Sequence, residues 1–184
     1  MAKDLVLVID VQKAYLKGNP WECAGTDLMI ENIKKIIESD KEKDIVFTQF
    51  LAPEDPKGKW LDYNEINREI NESAELNEIA DELKEYTEKY PVFTKSTYSS
   101  MKAPEVAEAA AKCKRLVVTG VVAECCVLAT AMEAIDLGIP VVYLWDAVAG
   151  ISEETEKATR LVLQGLDYVQ TEIMSTEEYL SQDD

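Results

Sequence analysis

Histidine is absent from all 184 residues of this chain. The absence removes the commonest general base and the commonest protein ligand for metal ions. Ser-His-Asp and Cys-His mechanisms are therefore excluded, and we expect no metal site.

Basic residues are scarce compared with acidic ones. The chain has 19 Lys and Arg against 36 Asp and Glu, which gives a net charge of −17. Such a field repels phosphate backbones and anionic membrane surfaces, so we expect neither nucleic acid nor a membrane as a partner. The charge is also common among soluble proteins, and it leaves the identity of a small-molecule substrate open.

Cysteines are few, and long apolar runs are missing. Cys23, Cys113, Cys125 and Cys126 form no CxxC pair and show no zinc-site spacing. The apolar run at residues 5–9 is too short for a secretory or membrane segment. We therefore expect a cytoplasmic protein with reduced thiols.

Six short runs have the composition of strands. They are rich in β-branched residues and do not alternate between apolar and polar, which is typical of parallel strands covered on both faces. The runs are residues 5–9, 45–48, 92–94, 116–119, 141–144 and, more weakly, 168–170.

Segments of helical period lie between these runs. Together they predict an α/β fold: a doubly wound, mostly parallel six-stranded sheet with helices on both faces, a Rossmann-like three-layer sandwich. We expect one domain over residues 1–184, in which the polar stretch 53–77 is a lid, an interface arm or a solvated insertion. The predicted helices are residues 27–39, 75–89, 103–112, 124–137 and 152–164.

Three reactive side chains follow predicted strands. Asp10 ends the first strand, Lys95 ends the strand at 92–94, and Cys126 begins the helix after the strand at 116–119. Ligands bind at the carboxyl ends of parallel strands, so a carboxylate, an ammonium and a thiol converge if those strands are neighbours. Each alone is equally compatible with a loop acid, a solvated lysine or a small buried hydrophobe.

The same residues lie in three motifs that resemble those of the isochorismatase-like cysteine hydrolases, the superfamily that includes nicotinamidases. The resemblance extends in order over nearly the whole chain. The motifs are Asp10-x-Gln12-x-x-Tyr15, Lys95-x-x-Tyr98-Ser99 and Gly120-x-x-x-x-x-Cys126-Val127.

The resemblance implies a catalytic triad. Cys126 is its nucleophile, Asp10 is the base and Lys95 is the cation beside both. It also implies an oxyanion hole made of the main-chain N–H groups of Val122 and Cys126, with a cis peptide bond between Val121 and Val122. We expect the ammonium and the helix N-terminus to lower the thiol pKa from about 8.5 toward neutrality.

Two features depart from this pattern or compete with it. Cys125 is an alternative nucleophile, or a redox partner of Cys126, although adjacent helical residues point about 100° apart. The residues after the second predicted strand include no histidine, so the metal site of nicotinamidases cannot form and nicotinamide is disfavoured as a substrate.

The predicted substrate wall is aromatic. Motif position and the nearby loop assign Tyr15, Phe50, Trp60 and Tyr98 to it, and each is equally compatible with core or interface packing. Gln12 either orients the backbone or contacts substrate.

The predicted function is a metal-independent cysteine hydrolase that cleaves a C–N bond of a small amide or carbamoyl compound through a Cys-acyl intermediate. Isochorismatase-type or nicotinamidase-type hydrolysis and an inactive binding subunit are alternatives. A flavodoxin-like module needs a glycine-rich phosphate loop, which residues 10–15 lack, so we expect no cofactor. The resemblance further implies a homodimer or homotetramer.

Overall fold

The computed structural model describes residues 2–167 and 169–182 of the chain. Its strands are β1 (Asp4–Ile9), β2 (Lys43–Phe50), β3 (Val92–Lys95), β4 (Leu116–Val121), β5 (Val141–Ala149) and β6 (Thr171–Met174). They form one sheet in the order β3-β2-β1-β4-β5-β6, and all neighbouring strands are parallel. The predicted doubly wound α/β sheet is confirmed, and its strands are all parallel rather than mostly so.

Helices cover both faces of this sheet. The chain's helices are α1 (Thr26–Glu38), α2 (Lys59–Ile66), α3 (Arg68–Asn71), α4 (Ala74–Asn77), α5 (Lys84–Thr87), α6 (Pro104–Ala110), α7 (Leu128–Asp136), α8 (Glu153–Gln164) and α9 (Thr176–Ser181).

The two faces of β1 explain the lack of alternation in the strand sequences. Val6 and Val8 belong to one buried cluster with Ile33 of α1, whereas Leu5 and Leu7 belong to a second cluster with side chains of α6, α7 and α8. Every residue of β1 is buried. A strand that is covered on both sides has no polar face, so its sequence is continuously apolar.

The strands predicted over 45–48 and 141–144 are longer than expected, since β2 covers Lys43–Phe50 and β5 covers Val141–Ala149. Two further predicted elements differ more strongly. The single helix predicted over 75–89 is broken, because Ile79 pairs antiparallel with Gln12 and Ala80 N–H donates to Val11 O at 2.9 Å. This extended pairing replaces helical hydrogen bonds between α4 and α5. The last strand begins at Thr171 rather than at 168, and Tyr168 lies outside the described residues.

Gly120 allows β1 and β4 to approach closely at their carboxyl ends. Its φ is +97°, and a Cβ atom there would lie 2.2 Å from the carbonyl oxygen of Ile9. Only glycine fits both the backbone conformation and the contact. The packing fixes the relative position of the loops that follow these two strands.

Candidate active site

Three polar side chains meet at the carboxyl edge of the sheet, where the strand order reverses between β1 and β4. Asp10 follows β1, Lys95 ends β3, and Cys126 lies in the π-helical turn Ala123–Val127 after β4. Lys95 Nζ lies 2.7 Å from Asp10 Oδ2 and 3.4 Å from Cys126 Sγ. All three residues are buried, so the structure brings together the carboxylate, ammonium and thiol identified from the sequence.

Asp10 is held by its neighbour on β2. Its backbone is left-handed, with φ of +51°, and its N–H donates to Thr48 O at 3.1 Å. The Thr48 hydroxyl donates to Asp10 Oδ1 at 2.8 Å. One carboxylate oxygen is therefore engaged by β2, while the other faces the Lys95 ammonium.

The Lys95 ammonium is fixed by main-chain carbonyls as well as by Asp10. It donates to Thr97 O at 2.8 Å and to Tyr98 O at 2.9 Å, and it lies 5.4 Å from the centre of the Phe50 ring. A cation with this many oriented partners has little freedom to move away from the thiol.

The environment of Cys126 corrects the expected direction of its pKa shift. Burial raises the pKa of the thiol, the charge of Asp10 raises it further, and Lys95 lowers it by less than the other two effects combined. Ionisation of the Cys126 thiol alone is therefore unfavourable in this environment.

The backbone around Cys126 has the features of a helix start. The peptide bond between Val121 and Val122 is cis, and the N–H groups of Cys125 and Val127 both donate to Val122 O. Val122 and Cys126 line the same cavity, and the N–H of Cys126 lies in the first turn, where main-chain donors commonly lack helical partners.

Cys125 occupies a different environment from its neighbour. It is half-buried and lines the cavity, whereas Lys95 donates to Cys126. All four cysteines carry free thiols, so Cys125 and Cys126 form no disulfide with each other.

A cavity of about 250 Å³ opens above Cys126. Tyr15 and Tyr98, expected in its wall, do line it, together with two aromatic residues that the sequence analysis missed, Trp21 and Tyr63. The Tyr15 and Trp21 rings lie 5.3 Å apart, and those of Trp21 and Tyr63 lie 6.4 Å apart. The cavity is smaller than most drug-sized sites, which corresponds to a small ligand.

Phe50 and Trp60 do not line this cavity, contrary to expectation. The Phe50 side chain is buried beside the Lys95 ammonium. Trp60 instead packs against the wall residues Tyr63 and Tyr98, with ring centres 5.1 and 5.3 Å away. Both residues support rings that line the cavity.

Sequence reasoning missed Trp21 and Tyr63 because neither lies in a motif. The available signal for Tyr63 is its position three residues after Trp60, which places both rings on one side of α2. Trp21 lies in a loop, where its indole N–H donates to Asn67 Oδ1 at 3.3 Å.

Gln12 orients the backbone. Its Nε2 donates to Phe50 O at 2.9 Å and to Asn77 O at 3.0 Å, and its Oε1 accepts from Phe50 N–H at 2.9 Å. The side chain is buried. It therefore ties the loop after β1 to both ends of the segment 51–77, which we call the aromatic insertion because it carries Trp60 and Tyr63.

The described residues contain neither a metal-binding cluster nor a membrane-spanning helix. In 2–167 and 169–182, no group of three or more His, Cys, Asp or Glu side chains is placed to hold a metal ion. No helix in that part of the chain has the length and apolar character needed to span a membrane.

Comparisons with known proteins show which solved structures share this fold. Three of those structures are each less than 25% identical to this chain. An isochorismatase-like hydrolase from Alkaliphilus metalliredigens is 22% identical with a TM-score of 0.72, covering 97% of this chain and 98% of its own. A cysteine hydrolase from Pseudomonas syringae pv. phaseolicola is 18% identical with a TM-score of 0.80, covering 97% and 91%. A pyrazinamidase/nicotinamidase from Streptococcus mutans is 18% identical with a TM-score of 0.75, covering 94% and 100%.

Curated proteins yield no significant match. The family described as "Isochorismatase domain" matches residues 4–178, nearly the whole chain. This chain therefore belongs to the isochorismatase family of hydrolases.

Proposed function

We propose that the chain is a cysteine hydrolase that cleaves the C–N bond of a small amide or carbamoyl compound. The observation that carries the proposal is the buried contact of Lys95 Nζ with Asp10 Oδ2 at 2.7 Å and Cys126 Sγ at 3.4 Å. Cys126 is the nucleophile, Asp10 the base and Lys95 the cation that holds both.

Asp10, Lys95 and Cys126, which we call the trio, can form a thiolate without an imidazole because the proton transfer leaves their net charge unchanged. Proton transfer converts carboxylate, ammonium and thiol into carboxylic acid, ammonium and thiolate, so the sum of charges is zero before and after. Burial opposes ionisation of the thiol alone, but it has little effect on a neutral exchange. Once Asp10 is protonated, its negative charge no longer opposes the thiolate.

The reaction then follows acyl transfer. The thiolate adds to the carbonyl carbon, and the negative oxygen is stabilised by the main-chain N–H groups of Val122 and Cys126. The C–N bond breaks, the leaving nitrogen takes the proton from Asp10, and a thioester remains on Cys126. Asp10 then removes a proton from a water molecule, whose oxygen attacks the thioester carbonyl. The C–S bond breaks, the product acid leaves, and Asp10 returns the proton to the Cys126 thiolate.

The absence of histidine from the sequence excludes an imidazole-held metal from this mechanism. Nicotinamidase-type and isochorismatase-type hydrolysis are the alternatives within the family. A C–N bond is favoured over a vinyl ether because a thiol nucleophile suits acyl transfer.

The test is a panel of primary amides, ureides, N-carbamoyl compounds, nicotinamide and isochorismate. We expect ammonia release from at least one C–N substrate and a trapped thioester on Cys126, which tandem mass spectrometry of the peptide distinguishes from a thioester on the adjacent Cys125. Cys126→Ser should lower kcat at least about 10³-fold, whereas Cys113→Ser, remote from the cavity, should leave it within about twofold. Acylation of Cys125, or loss of turnover in Cys125→Ser but not in Cys126→Ser, would overturn the assignment.

A further inference from the structure

The wall of the cavity above Cys126 is rich in aromatic side chains. Tyr15, Trp21, Tyr63 and Tyr98 line it, and the Trp60 ring packs against both Tyr63 and Tyr98. Aromatic faces carry negative electrostatic potential, so a cation surrounded by several of them is attracted to each.

A carboxylate lies at the rim of the cavity, and the ammonium beside Cys126 is already paired. Among the described lining residues, the single charged side chain is Glu22, exposed at the rim, where its Oε2 accepts from Gly18 N–H at 2.8 Å. A second carboxylate, Glu124, precedes the lining residue Cys125 and accepts from Ile151 N–H at 3.2 Å. Lys95 donates to the lining residue Cys126, but its charge is engaged by Asp10 and two carbonyls.

The aromatic wall and the rim carboxylate favour cationic ligands over anionic ones. An anionic group in the cavity would lose its hydration without gaining a cationic partner, which is unfavourable. A methylated ammonium needs no hydrogen-bond acceptor, because its methyl groups pack directly against aromatic rings. The overall charge of −17 also attracts cations to the molecule.

We infer that the substrate carries an alkylated ammonium group on its acyl side, which the aromatic wall and Glu22 recognise while Cys126 attacks the amide carbonyl. The inference rests on the proposed amide hydrolysis and names the class of acyl group. Trp21 and Glu22 are specificity-determining residues in this assignment.

Three amides of matched length test the inference. 4-(Trimethylammonio)butanamide is cationic, 5,5-dimethylhexanamide is its neutral isostere, and glutaramate is the anionic counterpart. The charge lies three methylene groups from the carbonyl, which limits its inductive effect on reactivity. We expect kcat/KM for the cation to exceed that for the neutral amide at least about tenfold, with glutaramate the poorest substrate.

Variants locate the source of that preference. Trp21→Leu and Glu22→Gln should each reduce the ratio of cationic to neutral kcat/KM by at least about threefold. Glu42→Gln is the matched control, because it removes one exposed carboxylate before β2 at the opposite edge of the sheet, and it should leave the ratio unchanged.

The outcomes distinguish this inference from the proposed function. Hydrolysis of all three amides without preference for the cation, or an equal change of ratio in Glu42→Gln, overturns the inference and leaves amide hydrolysis standing. If no amide is hydrolysed, binding to Cys126→Ser is measured by calorimetry. Tighter binding of the cation than of its isostere then supports the cation site, and equal or weaker binding overturns it.

Discussion

The Nζ atom of Lys95 lies 2.7 Å from Asp10 Oδ2, although the strands that precede these two residues are separated by β2. The lysine side chain therefore extends across β2, whose Thr48 hydroxyl holds the other carboxylate oxygen. The ion pair therefore helps to hold the carboxyl ends of β1, β2 and β3 together. It also determines which charges lie next to the Cys126 thiol.

Replacing Asp10 by Asn should lower both thiol reactivity and catalysis. Burial is the largest effect that raises the pKa of Cys126, so without the carboxylate that accepts its proton the thiol should be alkylated by iodoacetamide at pH 8 at least about fivefold more slowly. Loss of the base should lower kcat about 10³-fold. Tandem mass spectrometry distinguishes alkylation of Cys126 from that of Cys125, and alkylation of Cys126 at an unchanged or faster rate would contradict the assigned role.

Stability should fall at alkaline pH because of the buried Cys23 thiol. Burial, followed by the charge of Glu124, raises the pKa of Cys23 to about 12, while an unfolded thiol ionises near pH 8.5. The stabilisation is complete below about pH 8.5, and it declines as pH rises toward the folded pKa because only the unfolded state loses its proton.

Urea denaturation at pH 8 and pH 10 measures this effect. Between these values the wild-type chain should lose about 2 kcal/mol through Cys23, in addition to any loss from other thiols. Cys23→Ala starts from a lower stability but should show a decline smaller by that amount. An identical decline of unfolding free energy in the wild-type chain and in Cys23→Ala would show that Cys23 does not cause the loss of stability at alkaline pH.

Two glycines with positive φ offer a matched test of the β1–β4 contact. Gly120 has φ of +97° and a Cβ there would meet Ile9 O at 2.2 Å, whereas Gly138 has φ of +77° and no atom within 4 Å of the added Cβ. Gly138→Ala should cost about 1 kcal/mol of unfolding free energy from backbone strain alone.

Gly120→Ala should cost at least about 3 kcal/mol, because the main chain of β1 must also move. The displacement should lower kcat as well, since Asp10 directly follows Ile9. Equal losses of stability in the two variants would show that the close approach contributes nothing beyond the strain.

Gln12→Leu should weaken the attachment of the aromatic insertion. The leucine side chain is similar in size but leaves Phe50 N–H and Phe50 O without their glutamine partner, while Asn77 O keeps only its bond from Gln49. We expect a cost of about 3 kcal/mol of unfolding free energy. Because Tyr63 lies in that insertion, KM should rise more than kcat falls.

Gln49→Leu is the control for this substitution. Gln49 donates to Asn77 O at 2.6 Å, so its loss should cost about 1 kcal/mol. Thermal and urea denaturation with steady-state kinetics compare the two variants. A Gln12→Leu enzyme with unchanged KM would show that the attachment does not position the wall.

Local sequence was sufficient for the sheet and for the trio. Continuous apolar runs such as 5–9 identify strands buried on both faces, and the topology of such a sheet then brings Asp10, Lys95 and Cys126 to one edge. Long-range pairing was not visible. The helix predicted over 75–89 has good helical periodicity, but hydrogen bonds from the loop after β1 hold Glu78 and Ala80 in extended conformation.

The cavity was predictable only in part for a related reason. Tyr15 and Tyr98 lie in motifs anchored to strand ends, so their positions follow from the fold. Trp21 and Tyr63 reach the cavity through the packing of a loop against α2, which no local pattern encodes. The sign of the Cys126 pKa shift was wrong because the depth of burial and the nearness of Asp10 to sulfur are properties of the assembled structure.

The aromatic insertion is a single continuous peptide between β2 and β3, whereas the trio is mounted on the strand ends. The part of the cavity wall that comes from Tyr63, with Trp60 packed against it, is thus encoded in a stretch of the gene separate from the trio. Grafting insertions of other lengths and compositions between Phe50 and Asn77 offers a route to reshape that part of the wall while the trio and the loop that carries Trp21 stay unaltered.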